Sequence, residues 1–348
     1  MTDARETIEP QTDPAPPAAG RVWVLDDPRA GFSGQALGIA ERLGVPFRRL
    51  ALAWNWKAHL AGLARRGSLI GIAAGARRTM AEALPDLALA DERPGLVISA
   101  GSRAATVALW LKAHTGCRVV QCLGPGLGGL FREDLFDLLV IPEHDRPPAA
   151  PNILAVLGAP HRLSPLVLRQ ARASWRERLA HLPRPRVALL VGGPPRASEL
   201  PPALAHGLGR TVARLASARR GSVLASSSRR TGAEATEALA AGLSRALHLL
   251  YRFGEPDENP YAAFLATADA IVVTADSIAM ISEACATGAP VYIALPELAG
   301  PRQRRLLATL YDAGQARPLD DDLSPWPRST LDEAGRVAAE IRKRFPLD

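Results

Sequence analysis

Residues 268–295, ADAIVVTADSIAMISEACATGAPVYIAL, read as strand, turn, helix, turn, strand. Residues 270–274 are an apolar, β-branched run of strand length. Residues 278–287 carry Ile278, Ile281 and Cys285 at helical spacing on one face. Asp276, Met280, Glu283 and Thr287 recur at i, i+4, i+7 and i+11 on another. Gly288 stops the helix and residues 290–295 form the next strand. This is a parallel βαβ unit, whose loop at the carboxyl end of a strand is where open α/β sheets take ligands. The first amides of the helix suit an anion. Glu283 sits two turns into a helix built for burial, so its carboxylate needs a partner, and two ribose hydroxyls would fit. The plainer alternatives are that Asp276 or Ser277 caps the helix and that Glu283 is an exposed helix residue.

The same alternation fills the rest of the chain. Of 348 residues, 47% are hydrophobic, enough for two globular domains. Strands at 21–26, 47–52, 96–99, 118–122, 138–141 and 153–157, with helices between them, predict a parallel sheet wound on both faces. A helix over 163–182 ends at Pro183 and Pro185, and strands at 187–191, 223–226 and 247–252 restart the pattern. The expected division is a disordered tail at 1–20 and an N-terminal Rossmann-like, acceptor-side domain at 21–163. A connecting helix and linker follow at 164–185, then a C-terminal nucleotide-binding domain at 186–328 and a final helix at 329–348.

Four places in the second half point at one ligand. Gly192 and Gly193 allow close approach to the backbone, and equally a tight strand-to-helix turn. Residues 226–231, SSSRRT, offer Ser228, Arg229, Arg230 and Thr231 as a diphosphate grip, or form a solvated basic loop. Residues 253–260 pass beside a base or punctuate a helix. The fourth is the set Thr274, Asp276, Ser277, Met280 and Glu283.

The ordered series GGP, SSRRT, ENPY and TADSIAMISEA resembles the nucleotide-binding half of GT-B glycosyltransferases, most closely the ELM1-like (mitochondrial fission ELM1) family. The likeness covers residues 21–319 and takes in the loop 26–35, ISAGSR at 98–103 and VIPEHD at 140–145. It implies an α/β, GT-B-like architecture: two Rossmann-like domains with parallel sheets facing a cleft, and a nucleoside-diphosphate sugar held mainly by the C-terminal one. A glycosyltransferase acting on an envelope or cell-surface glycan, or a lipid-linked acceptor, is the expected function. The alternatives are a non-catalytic adaptor on an inherited fold and a nucleotide-sugar epimerase of the same fold. Plant members of the family are associated with recruiting a dynamin-related protein in mitochondrial fission. In an inverting enzyme a general base comes from the N-terminal domain, and Asp26, Glu143 and His144, with Asp27 and Asp145 beside them, are the candidates at strand ends. The sequence departs from the family where Phe32 follows Gly31 in place of a histidine, where Pro194, Pro195 and Arg196 replace a small hydroxyl residue and lysine, and in the glycine-rich loop 124–129.

Charge and composition bound the partners. The net charge is +7, almost all of it arginine, with only Lys57, Lys112 and Lys343 as lysines. A basic surface suits anionic ligands or an anionic membrane face, and Arg65 and Arg302 lie in helices that fit peripheral contact or plain solvent exposure. No nucleic-acid motif occurs and aromatics are few, so nucleic acid is not expected. Cys117, Cys122 and Cys285 have no metal spacing and read as reduced core residues. The N-terminus lacks the order of a signal peptide. The expectation is a cytoplasmic protein, with peripheral contact at the inner membrane face as an option. No metal is expected, and no cofactor beyond the sugar donor as co-substrate.

Overall fold

The computed structural model describes residues 22–58, 67–83, 93–122, 133–194 and 199–345. In chain order the first half holds β1 (Val22–Asp26), α1 (Ala30–Leu43), β2 (Phe47–Ala51), α2 (Ala74–Ala83), β3 (Leu96–Ala100), α3 (Ser102–Thr115), β4 (Arg118–Cys122), β5 (Leu138–Pro142), a 3-10 turn (Glu143–Asp145) and β6 (Ile153–Val156). After α4 (Pro165–Ser174), the second half holds β7 (Arg186–Val191), α5 (Pro202–Ala218), β8 (Ser222–Ser227), α6 (Ala233–Leu243), β9 (His248–Tyr251), α7 (Tyr261–Thr267), β10 (Ala270–Thr274), α8 (Ile278–Cys285), β11 (Val291–Ala294), α9 (Pro301–Asp312), β12 (Arg317–Pro318) and α10 (Glu333–Arg344). The expected tail at 1–20, the glycine-rich loop, Arg65, Pro195 and Arg196 lie outside the described residues.

Two six-stranded parallel sheets result, ordered β2-β1-β3-β4-β5-β6 and β12-β11-β10-β7-β8-β9. Both are covered by helices on each face, which is why their strands are apolar runs and not alternating ones. In β7, Ala188 and Leu190 pack with Phe264 of α7 and Ile281 of α8. Val187, Leu189 and Val191 face Leu208 of α5 and Leu239 of α6 on the other side. Each sheet reverses its strand order once, between β1 and β3 and between β7 and β10. Such a reversal splays the two following loops apart and opens a crevice at the carboxyl ends.

The final helix returns to the first domain. Ala334, Val337, Ala338 and Ile341 of α10 join Val24, Leu37 and Ile39 in one buried cluster. The chain therefore crosses between domains twice, at 157–163 and at 331–333. The Glu333 carboxylate accepts from Leu157 N–H at 2.7 Å, Ser282 Oγ accepts from Ala159 N–H at 2.9 Å, and Arg42 pairs with Asp332 at 3.0 Å.

The connecting helix and linker expected at 164–185 do not form a crossing between the domains. The expected helix ends at Ser174, and Trp175, Leu179 and Leu182 continue as turns buried in the C-terminal core. Ser222 Oγ donates to Pro183 O at 2.7 Å and Arg186 Nη2 to Leu179 O at 2.6 Å, so this segment moves with the second domain.

Candidate functional site

The switch-point loops of the C-terminal sheet are tied together by one carboxylate. Asp276, in the turn after β10, has a fully buried side chain. Its Oδ1 accepts from the Thr274 hydroxyl at 2.7 Å, and its Oδ2 accepts from Gly193 N–H at 3.1 Å and lies 2.9 Å from Arg230 Nη2. Thr274 Oγ1 in turn accepts from Gly192 N–H at 2.8 Å. The Thr231 hydroxyl lies 2.8 Å from Val191 O and accepts from Ser228 N–H at 2.9 Å. Loops from β7, β8 and β10 are thus locked in register by groups that the sequence placed in one set.

That lock changes the roles of several expected donor contacts. A Cβ on Gly192 would overlap the Asp276 carboxylate, and one on Gly193 the Arg230 carbonyl. The glycine pair makes room for these two neighbours, and its amides are already spent on Thr274 and Asp276. Asp276 is saturated by protein partners and does not cap α8. Ser277 is the cap, accepting from Met280 N–H at 3.4 Å, a long bond that leaves the first amides of α8 largely open. Met280 packs on the core. Of the two arginines, Arg230 turns inward to Asp276. Arg229 is exposed and borders a separate cavity of about 370 Å³ with Ser228, Arg252 and Phe253.

Glu283 has a half-buried protein partner, though not one read from the sequence. The Tyr261 hydroxyl, at the first residue of α7, donates to Glu283 Oε2 at 2.6 Å. Oε1 has no protein partner among the described residues. Burial pushes the Glu283 pKa up to about 7, against the opposing hydrogen bond from Tyr261. The signal in the sequence is ENPY, which starts a helix and puts an aromatic hydroxyl just past the proline, where it can reach a neighbouring helix. Helix punctuation alone does not reveal that partner.

The raised pKa sets a sign for stability. The fold prefers protonated Glu283, so that contribution is whole below about pH 4.5 and is lost as pH rises through about 7. Urea titrations at several pH values should show Glu283→Gln gaining on the parent by about 3 kcal/mol between pH 4.5 and 8. Each tenfold separation of the folded and unfolded dissociation constants is worth roughly 1.4 kcal/mol. Parallel pH profiles for the two proteins would mean that the carboxyl is not desolvated as described.

The N-terminal candidates separate. Asp26, at the end of β1, takes Arg49 on Oδ2 at 2.6 Å, while its buried Oδ1 has no hydrogen-bond partner. Asp27 is held by Arg29 at 2.7 and 2.8 Å and by Trp54 Nε1 at 3.0 Å. Burial would raise its pKa, but the bonds from Arg29 outweigh that and hold it low. Glu143 is exposed. His144 is buried with neither ring nitrogen hydrogen-bonded, and burial lowers its pKa to about 4. It lies behind a domain contact: Arg302 of α9 grips Asp145 at 2.9 and 2.5 Å, and Arg305 Nε donates to His144 O at 2.9 Å. In this arrangement the imidazole meets no cleft solvent, which removes the reach to an acceptor that a general base needs. Among the described residues no group of three His, Cys, Asp or Glu side chains is placed to hold a metal, and no helix is long and apolar enough to cross a membrane.

Comparison with known proteins agrees with this architecture. The family model described as Mitochondrial fission ELM1 matches residues 30–345. The Arabidopsis thaliana mitochondrial fission protein ELM1 is 28% identical over 235 residues, a match spanning 60% of this chain and 55% of that protein. The Rickettsia prowazekii protein RP120 is 24% identical over 358 residues, covering 92% of this chain and 97% of its own. Among solved structures, Os79 from O. sativa in complex with UDP aligns over 93% of this chain and 91% of its own, at 13% identity and a TM-score of 0.53. That likeness is one of fold.

Proposed function

Because the chain belongs to the mitochondrial fission ELM1 family and has a GT-B-like fold, we propose that it binds a nucleoside-diphosphate sugar on its C-terminal domain and transfers the sugar to an acceptor on its N-terminal domain. One observation carries this reading: Glu283, at the switch point, is oriented by Tyr261 through one oxygen and keeps the other open. A carboxylate held this way suits a pair of ribose hydroxyls. The open amides at the start of α8 suit the diphosphate. The glycine amides do not enter, being used within the loop lock.

For the transfer step, Asp26 and Glu143 are the carboxylates left to accept the acceptor's proton once His144 is set aside. Leaving-group charge on the diphosphate would be stabilised by the α8 amides. Rotation about the two crossings at 157–163 and 331–333 would open and close the cleft, with the Arg302–Asp145 pair as the closing contact.

A second reading, a non-catalytic adaptor, draws support from the burial of His144 and from Phe32 at the first loop. The two separate in a thermal-shift series with UDP, other nucleoside diphosphates and their sugars. A ligand at about 100 times its Kd should stabilise the protein by roughly 2.7 kcal/mol. The expected result is selective stabilisation by one diphosphate, abolished in Glu283→Ala. Stabilisation by none of them would leave the adaptor reading standing and the transferase reading without support.

A further inference from the structure

Between the domains, where the amino-terminal ends of α1 and α8 meet, lies a cavity of about 210 Å³ lined by Arg29, Phe32, Gln35, Ile278 and Arg302 among others. None of its walls comes from the loops after β7 or β8. Both arginines are held in place from behind. Arg29 spends Nε and Nη2 on Asp27, and Arg302 spends Nε and Nη2 on Asp145. In each the third nitrogen, Nη1, has no protein partner among the described residues. The Arg29 guanidinium also stacks 4.2 Å from the centre of the Phe32 ring, which fixes its plane.

Gln35 gives the cavity a second kind of demand. Its side chain is only 7% exposed; Nε2 donates to Gly31 O at 2.9 Å, and Oε1 is buried with no hydrogen-bond partner. An unpartnered buried carbonyl is costly and rare in a folded protein. A small turn of the side chain that brings Oε1 to the cavity wall would let an O–H or N–H donor in the space satisfy it. The two guanidiniums ask for acceptor oxygens, and the first amides of α1, whose cap position has no side-chain bond, add to that. Phe32 and Ile278 supply apolar wall.

We propose that this cavity holds the acceptor, and that the acceptor carries an oxyanion beside a hydroxyl: the oxyanion meets Nη1 of Arg29 and Arg302, and the hydroxyl donates to Gln35 Oε1. The role as acceptor rests on the transferase reading; the ligand chemistry does not. Inorganic phosphate lacks the separate hydroxyl and a neutral sugar lacks the charge, so each satisfies half of the site. A soluble sugar phosphate and a phosphatidylglycerol headgroup both satisfy all of it.

The test is calorimetric titration of the full chain with glucose 1-phosphate, inorganic phosphate and glucose, and flotation with phosphatidylglycerol or phosphatidylcholine vesicles. Two variants accompany it: Gln35→Met, which removes the acceptor oxygen at similar size, and Ala279→Leu, which fills the cavity from α8 and serves if the first does not fold. The expected result is that glucose 1-phosphate binds more tightly than either half-ligand and that each variant weakens it about tenfold or more, Gln35→Met by the loss of one good hydrogen bond and Ala279→Leu by the loss of space. Capture by phosphatidylglycerol vesicles alone, lost in the same variants, would identify the lipid source; binding of glucose 1-phosphate alone would identify the soluble one. Unchanged affinity in a folded variant, or no binding of any probe, overturns the proposal. Displacement of glucose 1-phosphate by UDP also overturns it, because the cavity would then belong to the donor. If UDP fails to bind while glucose 1-phosphate does, the transferase reading falls and the oxyanion site remains.

Discussion

Asp276→Ala is expected to destabilise the C-terminal domain by about 3–5 kcal/mol, the range for breaking a buried charge pair from one side. The carboxylate is fully buried and accepts from three directions: Thr274, Gly193 and Arg230. Removing it leaves a buried amide N–H and a half-buried guanidinium without an acceptor, and each loss adds desolvation cost to the lost bond. Thr274 then has no acceptor for its hydroxyl, and its hold on Gly192 N–H weakens with it. Asp276→Asn keeps the shape but turns an NH2 toward a donor, so it should lose most of the same energy. Urea unfolding of both variants decides the matter. A cost below about 1 kcal/mol, the scale of an exposed ion pair, would mean that Asp276 does not organise the loops. Nucleotide binding, measured well below the melting transition, should fall along with stability, because Arg230 and the glycine loop lose their common anchor.

Arg328→Met should cost about 3–4 kcal/mol through the far end of the same helix, the summed loss of charge-assisted bonds worth about 1.5–3 kcal/mol each. Helix α8 is short, and its last carbonyls have no partners within it. Arg328 ties the end of α8 to the turn that follows it: Nη1 donates to Cys285 O at 3.0 Å, Nη2 to Thr287 O at 2.5 Å and to Ala289 O at 2.6 Å, and Nε to Ala289 O at 3.0 Å. The positive charge also sits at the negative end of the helix. These bonds do not add fully, because the carbonyls share one donor group. Methionine keeps the packed stem and removes every donor. Arg328→Lys should recover little, since one ammonium cannot match a planar fork that spans three carbonyls. Full stability in Arg328→Lys would show that charge alone, and not the fork, holds the end of α8. Because Ser277 and Glu283 ride on this helix, the methionine variant should also weaken ligand binding.

Much of the proposed donor side was legible because it is local. The β10–α8–β11 unit follows from residues 268–295 alone: a β-branched run, a polar turn, a helical apolar face and a glycine stop. The strand ends at Gly192, Ser228 and Thr274 were readable for the same reason, and alternation told which of them lie at the carboxyl edge. What each residue does there was not readable. Asp276 and Glu283 look alike in sequence, two acids on one helical face. In the fold, one is consumed by Thr274, Gly193 and Arg230, and the other keeps an open oxygen.

The class of fold, two sheets of parallel strands with helices between, is written in the chain itself, and so is the edge at which a ligand would lie. Periodicity and turn chemistry act within a few residues, so the order of amino acids records them directly. Long-range packing was needed to show that α10 closes the first domain and that the crossings lie at 157–163 and 331–333. It was needed equally to show that His144 is sealed behind Arg302 and Asp145, and that Tyr261 meets Glu283. Each of these depends on which side chain arrives from a distant segment. Burial, and the choice between a spent carboxylate and an open one, are set by that arrival.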